Sequence, residues 1–296
     1  MNAKKTKNLT ELSYANPSDP ALKRRLIRTI ERMSGRDQFI PIYNAWRDQV
    51  VGKSDREMTD LLEMLDVNLL KMSNDWPTQI PDGPLVIIAN HPFGLGDGLA
   101  ALSIAEDLGR PYKVMINAEL LKVPEIRHYS LPVDFRETKE ALRNNMQTKK
   151  EALRWLREGN TIVVFPAGGV ATAAKPFGKA EDLPWKVFPA RLIQEARANV
   201  LPVFFYGQNG ALFHLASRFS MTLRLSLYIR EFRKFTKSPV LIRIGDLISY
   251  DQIAAFTDRQ MLTKFLYDAV HSLAAMTVTS VPPHVIAGAQ QNRFRL

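Results

Sequence analysis

Two periodicities alternate along the chain. Residues 85–89, 112–116, 161–165, 200–205 and 240–244 are short apolar runs bounded by turn residues, and each predicts a buried strand. Between them lie segments with helical spacing. Residues 138–158 predict a long helix stopped by Gly159-Asn160, and residues 189–198 a shorter one. Residues 257–276 predict a helix with Leu262, Phe265, Leu266, Ala269 and Leu273 on its apolar side. A Gly-rich turn separates the strand at 85–89 from a helix near 98–108. Short buried strands alternating with amphipathic helices predict an α/β sheet covered by helices.

Upstream of Pro81-Asp82-Gly83-Pro84, which breaks the chain, the pattern is helical. Ser54 and Glu57 have capping-box spacing, and Met58, Leu61, Leu62, Leu65 and Leu69 form a helical stripe after them. From Pro20, the apolar residues Leu22, Leu26, Ile30 and Met33 recur near helical spacing. Lys23, Arg24, Arg25, Arg28 and Arg32 fill much of the remaining circumference. Such a basic amphipathic helix suits an anionic membrane surface, while a helix packed on the main domain with a charged outer face fits the same pattern. The polar residues 1–19 are expected to fray and those after Pro282-Pro283 to be peripheral. The expected division is an N-terminal helical docking region over 1–79, a main domain over 80–280 and a tail over 281–296.

Composition narrows the chemistry. Of the 296 residues 46% are apolar and 24% charged, the mix of a folded globular protein. Cysteine is absent, which excludes disulfides, thiolate zinc sites and a cysteine nucleophile. The five histidines leave few members for a metal site, and none is expected. No run of about 18 apolar residues occurs, so no membrane-spanning helix is expected. The basic N-terminus lacks the apolar core of a secretory signal.

The net charge of +10 is uneven. Residues 1–36 hold nine Lys/Arg against three acids, and the stretch from Arg218 to Arg243 carries Glu231 as its one acid. Basic patches attract anionic lipid, nucleic acid or acidic proteins. Without an RNA-binding aromatic signature or zinc-finger spacing, nucleic acid ranks low as a partner.

The chemistry-bearing segment is Asn90-His91-Pro92-Phe93-Gly94-Leu95-Gly96-Asp97-Gly98, directly after a predicted strand. α/β proteins place functional turns at the carboxyl ends of strands. Gly94 and Gly96 let the turn fold back, so that the Asp97 carboxylate can reach one ring nitrogen of His91. The carboxylate would fix the tautomer and stabilise the imidazolium, leaving the other nitrogen as a base for an alcohol or amine. An exposed histidine turn with Asp97 capping the next helix fits the spacing as well. No G-x-S-x-G, G-x-G-x-x-G or P-loop competes.

Asn90-His91-Pro92 followed by Asp97-Gly98 resembles the first sequence block of the glycerolipid acyltransferases related to bacterial lysophosphatidate acyltransferase. Leu131-Pro132-Val133-Asp134-Phe135-Arg136 resembles the second block, whose arginine contacts the acceptor head group. Val164-Phe165-Pro166-Ala167-Gly168 resembles the third, Phe-Pro-Glu-Gly, and Leu201-Pro202-Val203 the fourth, a strand-end proline. The blocks stand in the family's order over roughly residues 80–275. Some residues depart from the usual pattern. Five residues rather than four separate His91 from Asp97, and Ala167 replaces the glutamate of block three. The arginine that often follows that block is missing, and Gly169 stands where a related branch carries glutamate. These departures, with the stretch from Phe204 to Asn209 and on to Phe213, resemble a branch tied to aminolipid synthesis, of the lyso-ornithine-lipid O-acyltransferase type.

The resemblance implies a fold, a reaction and a place. The fold would be a mixed, mostly parallel sheet flanked by helices, with an N-terminal helical region. His91, oriented by Asp97, would deprotonate the hydroxyl of a lyso-aminolipid, which attacks an acyl thioester. The donor would be acyl-CoA or acyl-carrier protein, with no further cofactor. Substrate contacts would come from Arg136, Phe165, Pro166, Gly168, Gly169 and Asn209, with backbone N–H groups near Gly168 holding the oxyanion. His128 and His214 are read as structural or surface residues. The enzyme would sit peripherally on the cytoplasmic face of a bacterial inner membrane through Lys23, Arg24, Arg25, Arg28 and Arg32. Two other readings stay open, a lysophosphatidate acyltransferase and a relative that binds lipid without catalysis.

Overall fold

The structure, a computed structural model, describes residues 13, 15, 20–73, 76, 79–175, 177–219 and 221–275. The expected tail over 281–296 and most of the stretch expected to fray lie outside the described residues. Three helices lead, α1 (Ala21–Met33), α2 (Phe39–Gln49) and α3 (Glu57–Met64), followed by β1 (Leu69–Met72) and β2 (Leu85–Ala89). Next come α4 (Leu95–Asp107), β3 (Tyr112–Asn117), β4 (Ser130–Val133), α5 (Lys139–Arg157) and β5 (Thr161–Val164). A two-stranded pair, β6 (Thr172–Ala173) and β7 (Ala180–Glu181), precedes α6 (Phe188–Ala196) and β8 (Asn199–Phe205). The described chain closes with α7 (Ala211–Phe219), α8 (Met221–Phe235), β9 (Val240–Ile244), α9 (Tyr250–Ile253) and α10 (Arg259–Ser272).

The main sheet has seven strands in the order β1-β9-β8-β2-β5-β3-β4. Every neighbouring pair is parallel except β8 and β9. The expected mixed, mostly parallel sheet flanked by helices is therefore what the chain forms. Its apolar strands are buried on both faces, as βαβ crossovers require. The pleat of β2 shows this residue by residue. Leu85, Ile87 and Ala89 face a core shared with α2, α3 and α4, while Val86 and Ile88 face one shared with α5, α6 and α10.

Three local expectations are corrected. The stripe ending at Leu69 is not one helix. Asp66 takes a left-handed φ of 56° that ends α3, and Leu69 opens β1, paired with Val240 far downstream. Residues 39–72 share the main core through Tyr43, Trp46, Met58 and Leu62. The Ser54/Glu57 capping box does not form either. The first amides of α3 are taken by buried Glu106, which accepts from Met58 N–H at 2.8 Å and Thr59 N–H at 2.9 Å. Pro202 lies inside β8 rather than at its end, opposite Ile88. Its missing donor falls where the antiparallel pairing with β9, which starts at Val203, has stopped.

Candidate active site

β8, β2 and β5 are adjacent and parallel, so the turns at their carboxyl ends open side by side. β2 lies where the strand order reverses, with β3 and β4 beyond β5 on one side and β8 on the other. Open α/β sheets bind ligands at such a point. Residues 90–97, 165–170 and 206–210, distant in sequence, thus share one edge of the sheet.

Asn90 fixes the first of these turns. Its buried side chain donates to the Phe205 carbonyl at 3.0 Å and accepts from the Phe205 N–H at 2.7 Å, joining the end of β2 to the end of β8. His91 follows with its backbone held at both ends. Its N–H donates to Asp182 Oδ1 at 3.1 Å, and its carbonyl accepts from Ala171 N–H at 2.8 Å.

The His91 ring lies 4.2 Å from the Phe165 ring, stacked at 29°. Its Nδ1 is 3.1 Å from Oδ1 of the fully buried Asp97. That approach is within ion-pair distance but is not an aligned hydrogen bond, and among the described residues neither atom has another partner. Catalytic contacts often tighten only when substrate is bound. Because Nδ1 is buried, the 17% exposure of the side chain falls on the rest of the ring.

Asp97 belongs to the first turn of α4, which begins at Leu95 rather than near Gly98. A carboxylate is favoured there by the helix dipole, and Oδ2 also accepts from Phe93 N–H at 2.8 Å. The two glycines of the turn serve different ends. Gly94 caps the helix at a φ of 87°. Gly96 is needed for packing, since an added Cβ would sit 2.6 Å from the Phe235 ring on α8.

The other expected substrate contacts fall in different places. Phe165 lines the His91 ring, and Pro166 is buried, with its carbonyl accepting from Lys186 N–H at 2.9 Å. The Gly168 N–H is not free for an oxyanion, because it closes a turn on the Phe165 carbonyl at 3.0 Å. Gly169, half-buried against Leu183, is the glycine of this turn whose N–H closes no such bond among the described residues. Phe135 from the second block covers Gly168, at 3.6 Å from an added Cβ.

Its neighbour Arg136 is exposed, and its guanidinium is engaged by Asp134, with Nη2 to Oδ2 at 2.6 Å and Nε to Oδ1 at 3.0 Å. The guanidinium holds the Asp134 carboxyl below its ordinary value. Ala167, at the position of the missing glutamate, is buried. Asn209, after β8, is 2% exposed, and among the described residues neither side-chain polar atom has a partner.

Asp182 carries no sequence signal that could have singled it out. It stands in the loop after block three, 91 positions from His91, and ties that loop to the His91 turn. Besides the His91 N–H, its buried carboxylate accepts from the Trp185 indole at 2.9 Å and lies 3.8 Å from His271 Nε2. Among the described residues, no group of three or more His, Asp or Glu is placed to hold a metal, and no helix is long and apolar enough to cross a membrane.

α1 packs on α8, with Ile27 and Glu31 its buried residues and Ile30 against the cluster that holds Leu227. The expected apolar stripe is therefore not the buried one. Ile30 is half-buried, while Leu22, Leu26 and Met33 face outward at 81%, 48% and 80% exposure, beside the exposed Lys23, Arg25, Arg28 and Arg32. Arg24 is half-buried.

A family model described as Acyltransferase matches residues 72–206. The chain is 25% identical over 203 residues to the lyso-glycine lipid O-acyltransferase of Phocaeicola vulgatus, covering 65% of this chain and 69% of that protein. It is 28% identical over 141 residues to the lyso-glycine lipid O-acyltransferase of Bacteroides thetaiotaomicron, covering 45% of this chain and 47% of that protein. Among solved structures, it is similar to the 1-acyl-sn-glycerophosphate (LPA) acyltransferase PlsC from Thermotoga maritima. The TM-score is 0.52 at 15% identity, covering 88% of this chain and all of that one.

Proposed function

We propose that the chain is a glycerolipid acyltransferase of the lysolipid type, and that it esterifies the hydroxyl of a lyso-aminolipid with a fatty acyl group from an acyl thioester. The observation that carries this reading is the His91–Asp97 pair at the carboxyl end of β2, with a fully buried carboxylate against Nδ1. Held that way, Nδ1 carries the hydrogen and Nε2 the lone pair. Nε2 takes the hydroxyl proton as the oxygen attacks the thioester carbonyl. The tetrahedral oxyanion is held by backbone N–H groups of the block-three turn, with Gly169 the candidate in place of Gly168. Collapse breaks the C–S bond, and His91 returns the proton to the leaving thiolate. The products are the ester and a free thiol, the latter belonging to coenzyme A or to an acyl-carrier protein.

Two features favour an aminolipid over a glycerol phosphate. The block-three glutamate is replaced by a buried alanine, and Arg136 is already engaged by Asp134. The lyso-glycine lipid O-acyltransferases to which the chain is similar support the same acceptor class. The test offers purified protein a labelled acyl-carrier protein or acyl-CoA with a lyso-aminolipid or lysophosphatidate. The expected result is transfer to the lyso-aminolipid. Transfer to lysophosphatidate alone overturns the assignment of the acceptor.

A two-chain product stays in a bilayer, so the enzyme works at a membrane surface, proposed here as the cytoplasmic face of a bacterial inner membrane. α1 is the candidate contact, offering Leu22, Leu26 and Met33 to the acyl region and its basic residues to anionic head groups. Each basic residue near such a surface is worth about 1 kcal/mol. Reversing Arg24, Arg25 and Arg28 to glutamate is expected to weaken binding to vesicles containing phosphatidylglycerol by about tenfold or more. Sedimentation with sucrose-loaded vesicles measures this, and unchanged binding would remove α1 from the role.

A further inference from the structure

We propose that Arg224, with the Asn209 amide and the His214 imidazole, forms a binding site for the anionic group of the acyl acceptor, beside the His91 turn. The inference rests on the acyl-transfer reading and gives the far end of the acceptor its chemistry.

Arg224 on α8 is half-buried. Its Nη2 donates to the Val170 carbonyl at 3.1 Å, its guanidinium lies 5.5 Å over the Phe213 ring, and it shares a hydrogen bond with the Tyr228 hydroxyl. A guanidinium has five N–H donors. Among the described residues no carboxylate stands within ion-pair distance of it. The carboxylate of Glu231, two turns further along α8, is occupied by the Gly210 N–H at 2.7 Å and by Lys234 at 3.1 Å. A cation withdrawn from water without a counter-charge is costly, and an anionic ligand removes that cost.

Two buried residues at the start of α7 and just before it keep side-chain polar atoms without aligned partners among the described residues. Asn209 leaves both amide atoms unsatisfied at 2% exposure. His214 is 1% exposed, and burial lowers its pKa, so the ring is neutral at pH 7. Its Nδ1 accepts from Ala173 N–H at 3.3 Å, which puts the hydrogen on Nε2; that buried atom faces the Asn209 backbone but has no well-aligned acceptor among the described residues. The ring adjoins both other members, feeling the Arg224 charge and contacting the Asn209 backbone. Native interiors seldom leave so many polar atoms unpaired in one place. Guanidinium, amide N–H and imidazole N–H together form a donor set suited to a carboxylate or phosphate.

The site is coupled to the catalytic turn. Val170, which holds Arg224 through its carbonyl, precedes Ala171, whose N–H binds the His91 carbonyl. Gly94 brings the same elements together, since an added Cβ there would meet Tyr228 at 2.9 Å and Val170 at 3.1 Å. An acceptor with its hydroxyl at His91 and an acid group near it is what this arrangement recognises.

The experiment compares wild type, Arg224→Gln and Arg224→Lys on matched acceptors at fixed donor. One pair is N-(3-hydroxyacyl)glycine and its carboxamide, and the other is lysophosphatidate and uncharged monoacylglycerol. Equilibrium binding of the same compounds without donor supplies a readout apart from turnover. Wild type is expected to prefer the anionic member by about ten- to a hundredfold, largely in acceptor KM. Arg224→Gln should erase most of that preference, Arg224→Lys should keep part of it, and donor KM should stay as in wild type. Equal losses on both members of a pair, a rise confined to donor KM, or a wild type blind to charge each overturn the site. Should wild type accept only the glycerolipid pair, the aminolipid reading falls. Loss of charge preference in Arg224→Gln on that pair still supports the anion site. Should Arg224→Gln not fold, the acceptor KM of Arg224→Lys decides, and a value equal to wild type on both members overturns the proposal.

Discussion

Alanine at position 91 is expected to lower acyl transfer by about 10²–10⁴-fold, the range for removal of a general base, and to leave the protein folded. The fold survives because the His91 ring is tied only to Asp97 and to the Phe165 face, while the backbone is held separately by Asp182 and Ala171. Asp97 Oδ2 keeps its bond from Phe93 N–H, so the buried carboxylate retains one donor. The companion Asp97→Asn keeps the shape of the turn but removes the charge that stabilises the imidazolium and fixes which nitrogen carries the hydrogen. It is expected to lose a comparable factor in kcat with little change in acceptor KM, because the carboxylate acts only as charge develops. Single-turnover transfer from a labelled thioester, with a thermal melt on each variant, measures both. If His91→Ala retains more than about a tenth of the wild-type rate, the base lies elsewhere.

Much of the scaffold around this pair can be read from the chain alone, because apolar strands buried on both faces leave continuous runs such as Leu85-Val86-Ile87-Ile88-Ala89 and Val240-Leu241-Ile242. The failures have physical causes. β1 looks like the end of a helix until Asp66 turns left-handed, and its partner strand is 171 positions away. Strand order is not written in any local pattern. The fact that β8 and β5 flank β2, which brings three sequence blocks to one edge, arises from long-range pairing. The His91–Asp97 contact was legible because both members sit in one short turn. Asp182 was not, since its partners His91, Trp185 and His271 come from three separate segments. His214 and Arg224 look structural or merely solvated in sequence. Only the fold reveals, among the described residues, an imidazole nitrogen without an aligned acceptor and a guanidinium without a carboxylate at ion-pair distance. The basic stretch that suggested a surface patch thus contains a residue aimed inward.

Asn90→Ala is expected to cost about 2–5 kcal/mol of folding stability, more than a typical single substitution, although it removes a small polar side chain. The Asn90 amide is buried and spends both its ends on one residue, bonding the Phe205 carbonyl and the Phe205 N–H. Both strands end there. β2 stops at Ala89 and β8 at Phe205, so the side chain replaces the ladder bonds the sheet can no longer supply. Alanine would leave a donor and an acceptor unpaired in a fully buried setting, each worth about 1–3 kcal/mol when stranded. Asn90→Asp restores only the acceptor and adds a buried charge, so it should be at least as costly.

The substitution also loosens the register of His91, one position on, so transfer per folded molecule should drop along with stability. Chemical denaturation with an unchanged m-value, paired with the transfer assay on the folded fraction, separates the two effects. A loss below about 1 kcal/mol would mean that water enters and pairs with Phe205. In that case the end of β2 would be open enough for solvent to reach the His91 turn, which the proposed transfer from a hydrolysable thioester does not tolerate.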